Sequence, residues 1–158
     1  MKEIVVAGGC FWGVDAFFAR RDGVTHTEAG YANCNEDNPS YERVCTQITG
    51  CTEAVRIVYD EKKAELSDLL DAFFRVIDPT VKNRQGPDIG SQYRTGLYYT
   101  DEQQKEAFEQ AVKRAQPAYN RPIVTEVLPL ENFWPAESYH QDYLKKNPGG
   151  YCHIPLDL

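Results

Sequence analysis

Residues 4–13, IVVAGGCFWG, constrain the fold more than any other stretch of the chain. The apolar run Ile4-Val5-Val6-Ala7 is too short for a helix and long enough for a buried strand. Gly8-Gly9 stops it. From Trp12 to Arg20, Val14, Phe17 and Phe18 recur at helical spacing. The chain therefore opens as a strand over 3–7, a glycine turn and a helix, with Cys10 in the turn.

The remaining elements follow from the same patterning. EAVRIVY, 53–59, alternates β-branched residues as a strand does. Ser67 can cap a helix with Leu69, Leu70, Phe73, Phe74, Val76 and Ile77 on its apolar face, ended by Asp78-Pro79. Residues 81–93 are polar and glycine-containing, a loop long enough to suggest function. Residues 95–99 read as a strand, 101–115 as a helix with Pro117 just beyond it, and 122–130 as a last strand. Residues 131–158 show little periodicity and read as a long irregular tail. This order predicts an α+β fold, a two-layer sandwich with helices on a small mixed sheet. The length of 158 residues predicts one domain, 1–158.

Composition narrows the function. Lys plus Arg number 17 against 24 Asp plus Glu, a formal charge of −7, so nothing draws the surface toward nucleic acid or anionic membrane. No apolar run approaches the roughly 18 residues of a membrane span. MKEIVVAGG has too short an apolar part and an acidic flank for a signal peptide, which predicts a cytoplasmic protein. Five cysteines, 10, 34, 45, 51 and 152, are an odd count. That argues against a closed set of structural disulfides, and a reducing compartment predicts thiols. No CxxC occurs, and histidines 26, 140 and 153 lack ligand spacing, so no metal or other cofactor is expected.

Cys10 is the chemical focus. At the start of a helix, unpaired N–H groups and the positive end of the dipole favour a thiolate. If Phe11 and Trp12 turn outward, they wall a small apolar pocket beside the sulfur. The competing reading is a cysteine packed between strand and helix, since free cysteine is among the most buried residue types. Spacing tests the other thiol chemistries. A cysteine phosphatase needs arginine where Ala16 stands, and a dithiol oxidoreductase needs cysteine where Gly13 stands. Acyl transfer needs a histidine base, and only the fold can bring His140 or His153 close.

GGCFWG, followed in order by GYANC, NPSYERVC, TGCTEAV, NRQGPDIGSQYR, AESYHQDYL and GGYCHI, resembles the peptide methionine sulfoxide reductase A family over roughly residues 4–154. The resemblance implies a ferredoxin-like α+β sandwich. It also implies reduction of methionine-S-sulfoxide, free or in proteins, as a repair activity. By the same resemblance Cys10 is the attacking thiolate and becomes a sulfenic acid. Glu53 supplies the proton, which requires burial to raise its pKa. Tyr41 and Tyr93 donate hydrogen bonds to the sulfoxide oxygen, and Asp88 holds Glu53 or a water. Phe11 and Trp12 seat the S-methyl group. Cys152 resolves the sulfenic acid as a Cys10–Cys152 disulfide, which thioredoxin or a similar dithiol reduces.

The chain also departs from the family pattern. Six residues follow Cys152 and none is a cysteine, so no second relay cysteine is expected there. Cys51 stands where the family commonly has histidine, and Cys34 where it usually has glycine. Either one is a candidate backup resolver, and Cys45 is expected in the core. Two rival functions remain open here. One is a thiol peroxidase, which needs neither a methyl pocket nor a protonated glutamate. The other is a non-enzymatic module with an inert Cys10 and an aromatic binding patch.

Overall fold

The computed structural model describes residues 1–151. Its elements are β1 (Lys2–Gly8), α1 (Phe11–Ala19), β2 (Val24–Ala32), α2 (Tyr41–Cys45), β3 (Thr52–Tyr59) and α3 (Leu66–Val76). The two-residue strands β4 (Arg84–Gln85) and β5 (Asp88–Ile89) follow, then β6 (Thr95–Tyr99), α4 (Glu102–Ala115), β7 (Glu126–Pro129), β8 (Phe133–Pro135) and α5 (Tyr143–Lys146). Six strands form a mixed sheet in the order β7-β6-β1-β3-β2-β8; β6 and β7 run parallel and the other pairs antiparallel.

β1 is paired on both sides, by β3 and β6, which explains its unbroken apolar run. Its residues alternate between two layers. Ile4 and Val6 join Val55, Ile57, Leu97 and the inner faces of α1 and α3 in the main core. Val5 and Ala7 face the opposite side with Ala54 and Tyr98, where Leu130 and Phe133 cover them. The α3 face expected from the sequence is buried at Leu69, Leu70, Phe73 and Phe74. Its first residue is Leu66, however, and its N-cap is Glu65 rather than Ser67.

Three further differences have physical causes. β2 carries the polar residues His26, Thr27 and Glu28 and the small Ala29, Gly30 and Ala32, so it lacks strand-like alternation; pairing with β3 along its length makes it a strand. Within 122–130 only Glu126–Pro129 pairs, in parallel with β6. The region read as an irregular tail supplies β8, a short turn over Ser138–His140 and α5. β8 docks on the edge of β2 across Gly30, where a Cβ would meet the Phe133 ring and lie 2.7 Å from the Trp134 carbonyl oxygen. Beyond β8 the Gln141 side chain continues the pairing: Ala29 N donates to its Oε1 at 2.8 Å, and its Nε2 donates to Ala29 O at 2.7 Å. A side chain in place of a strand leaves no periodicity to read.

Candidate active site

Register brings the site together. Val6 pairs with Val55 in an antiparallel ladder, so the end of β1 lies level with the start of β3. The turn after β1 therefore sits over Glu53, the second residue of β3. Gly9 makes that turn at φ 86°, a left-handed conformation suited to glycine. Cys10 then stands at the N-cap of α1 with its side chain unused for capping. It is 8% exposed, so the sulfur's residue is recessed but not sealed.

The first amide of α1 is directed at a carboxyl. Phe11 N donates to Glu53 Oε1 at 3.2 Å. Glu53 is 1% exposed, and its Oε2 has no hydrogen-bond partner among the described residues. Burial pushes its pKa up to about 8; the Phe11 N–H opposes this, and the nearby Asp88 charge adds to it. A neutral carboxyl at pH 7 carries its proton on Oε2, since Oε1 already accepts from Phe11.

Tyr41, the first residue of α2, and Tyr93, in the turn Ser91–Tyr93, come together near Glu53. They are side-chain hydrogen-bond partners, and Tyr93 also lies within the electrostatic reach of Cys10 and Glu53. Burial first, and the Glu53 charge second, raise both phenols well above their ordinary value, so both keep their protons. Two O–H donors and one neutral acid thus surround the space beside Cys10.

The aromatic pair after the cysteine divides its roles. Phe11 does not turn outward: it is 1% exposed, packed against Tyr31 and His140 with ring centroids 5.7 and 5.1 Å away. Only Trp12 remains partly exposed. Its indole stacks on Tyr143, centroids 3.7 Å apart and planes 9° from parallel, and its Nε1 donates to His140 Nδ1 at 2.9 Å. His140 is buried, which lowers its pKa and keeps it neutral. The sequence offered His140 as a possible acyl-transfer base and as a histidine without ligand spacing, yet here it fixes an indole.

Glu137 also escaped the sequence reading. Its carboxylate accepts from Tyr31 Oη at 2.8 Å and from Tyr41 N at 3.1 Å, so it holds the start of α2. The only available signal was its place in AESYHQDYL. Asp88 differs from expectation in its partner. It accepts from Tyr151 Oη at 2.9 Å, while its tie to Glu53 is electrostatic. Cys152 lies outside the described residues.

The other cysteines correct the sequence reading twice. Cys34 and Cys51, expected as thiols, form a disulfide with Cα atoms 4.3 Å apart. Ala32 and Thr52 are the last pair of the β2–β3 ladder, so Cys34 and Cys51 meet just past its end. Cys45, expected in the core, is exposed because the short α2 buries only Val44.

Comparison with known proteins places the chain in a family. The family model described as peptide methionine sulfoxide reductase matches residues 2–158. The peptide methionine sulfoxide reductase MsrA of Clostridium acetobutylicum is 57% identical over 158 residues, all of this chain and 98% of that protein. The MsrA of Mycoplasma pneumoniae is 54% identical over 99% of this chain and its own full length. Among solved structures, reduced Mxr1 from Saccharomyces cerevisiae superposes with a TM-score of 0.92 at 38% identity, covering 98% of this chain and 90% of that one. The chain belongs to the peptide methionine sulfoxide reductase family.

Proposed function

We propose that this chain, as one catalytic unit over 1–158, reduces methionine-S-sulfoxide, free or within proteins, to methionine. The observation that carries this reading is the buried Glu53 carboxyl, held at the Cys10 turn by Phe11 N and neutral at pH 7. A thiol peroxidase has no use for such an acid, because the leaving group of a peroxide departs more readily than a sulfoxide oxygen.

In the proposed reaction the Cys10 thiolate attacks the sulfoxide sulfur and Glu53 protonates the oxygen. Tyr41 and Tyr93 donate hydrogen bonds to that oxygen as its negative charge grows. Trp12 seats the S-methyl group, with Phe11 packed behind it. The oxygen passes from the substrate sulfur to Cys10; the substrate gains two electrons and Cys10 becomes a sulfenic acid. The Cys152 thiol then displaces the hydroxyl as water, leaving a Cys10–Cys152 disulfide. A thioredoxin-type dithiol resets it by exchange. Asp88 lines the substrate side of the pocket. A cytoplasmic setting, where such a reductant is supplied, belongs to the same proposal. The strand order β6-β1-β3-β2, joined through α1 and α3, supports a ferredoxin-like reading of the central sheet.

The test is mass spectrometry after one equivalent of each sulfoxide epimer. The S epimer is expected to yield methionine and a Cys10–Cys152 crosslink, and the R epimer neither. Equal yield of methionine from both epimers would refute the S specificity, and no methionine from either with fast oxidation of Cys10 by hydrogen peroxide would favour the peroxidase.

A further inference from the structure

Two positions depart from the family motifs, Cys34 after GYAN and Cys51 in TGCTEAV, and the fold joins them in one bond. Their sequence separation is 17, and the bond closes the segment that carries α2 and therefore Tyr41. It also lies two residues before Glu53, at the start of the same strand. The geometry points to a second redox site, separate from the Cys10 cycle: a reversible clasp whose oxidised form holds Tyr41 in place and whose reduction slows turnover. This inference rests on the reductase reading given above.

The segment is also held by Val44, buried in the main core, by the Tyr41 ring packed on His140, by Arg94 Nη2 donating to Gly50 O at 2.9 Å, and by further polar bonds. At its mouth Asn35 N donates to Thr49 O at 2.8 Å, and the Asn132 side chain brackets Cys34, accepting from its N at 2.8 Å and donating to its O at 2.9 Å. Further along, Gln47 Oε1 accepts from Ser91 N at 3.1 Å, and Glu137 accepts from Tyr41 N. The Gln47–Ser91 bond is solvent-exposed, the kind that opens locally. The covalent bond is what closes the ring.

Both sulfurs of the clasp are buried, Cys34 at 7% and Cys51 at 2% exposure, so a reductant reaches their bond only when the mouth of the segment opens. A small dithiol can do so. In that step the Cys34–Cys51 bond breaks, each sulfur gains one electron and one proton, and the dithiol becomes a cyclic disulfide. A hydroperoxide restores the bond: two thiols lose two electrons and two protons, and the peroxide leaves as an alcohol and water. The reductase is therefore at its most competent where oxidants are present.

The experiment compares full-length protein reduced with thioredoxin alone against protein reduced with dithiothreitol, each desalted and given one equivalent of methionine-S-sulfoxide. Non-reducing peptide mapping scores the Cys34–Cys51 crosslink in each sample. The expected result is that the thioredoxin sample keeps the crosslink, whereas the dithiothreitol sample loses it and forms methionine about fivefold more slowly. A Cys34→Ala/Cys51→Ala variant is expected to be slow after either treatment, and peroxide is expected to restore only the wild type. Equal rates with and without the crosslink, no crosslink in either sample, or a crosslink that dithiothreitol does not break would each overturn the clasp. Failure of every sample to form methionine would instead overturn the reductase reading.

Discussion

Replacing Glu53 with glutamine separates two consequences of burying a carboxyl. The group titrates near 8 in the fold, against the ordinary 4.5. Because the folded value is the higher one, the folded chain binds more protons than the unfolded chain between these pH values. The group's contribution is therefore complete below about pH 4.5 and is lost progressively as pH rises toward 8. At pH 7 keeping Glu53 in place costs about 3 kcal/mol relative to acid, rising to about 4 kcal/mol at pH 8. Glutamine has the same shape and no titration, so the variant escapes this cost. Paired urea denaturations at pH 5 and pH 8 are expected to show the variant's stability advantage growing by about 3 kcal/mol between them. Each comparison uses one pH, so titrations common to both proteins cancel. Reductase turnover is expected to fall by about a hundredfold or more in the same variant, which lacks the acid. In the wild type, turnover is expected to decline above pH 8 as the donor ionises. A stability gap that stays constant from pH 5 to pH 8 would refute the idea that Glu53 is stored as a neutral acid.

Other perturbations address the remaining parts of the site. Trp12→Ala removes one methyl-contacting face, worth about 1 kcal/mol, and is expected to raise KM about fivefold; an unchanged KM removes the indole from the pocket. Tyr93→Phe keeps the ring and deletes one donor, so kcat is expected to drop between about tenfold and a hundredfold with the fold unchanged by circular dichroism. Cys152→Ser is expected to yield one methionine per chain and then stop with thioredoxin as reductant; sustained turnover would mean that another thiol resolves Cys10.

How much of this was legible in the sequence depends on what each residue answers to. α1, α3 and α4 were readable because each buries one face, which writes a helical period into the chain, and β1 and β6 because burial on both faces leaves a short, largely apolar run. β2 was not, because its outer half is polar and its inner half small, and only pairing with β3 makes it a strand. The GGCFWG turn located Cys10, and the resemblance supplied Glu53, Tyr41 and Tyr93. Nothing local marked Glu53 as buried: the cause is the antiparallel register that sets the Cys10 turn over it. The contributions of Glu137, His140 and Gln141 were hidden because each acts through long-range side-chain hydrogen bonds. The Cys34–Cys51 bond was hidden for a simpler reason. Five cysteines suggest unpaired thiols when counted, and only the ladder's end shows which two meet.

The Phe11 amide shows how register and chemistry combine. In the proposed reaction the negative charge starts on the Cys10 thiolate while Glu53 is neutral. Two adjacent anions would be unfavourable in so buried a place, so each group's state supports the other's. When Glu53 gives its proton to the oxygen and Cys10 becomes a neutral sulfenic acid, the charge moves to Glu53 without leaving the site. The carboxylate is then buried beside the N–H of Phe11, at the positive end of α1. That bond, 3.2 Å with the acid at rest, serves the state after transfer more than the state before it. In the proposed cycle one helix start thus stabilises the thiolate first and the carboxylate second.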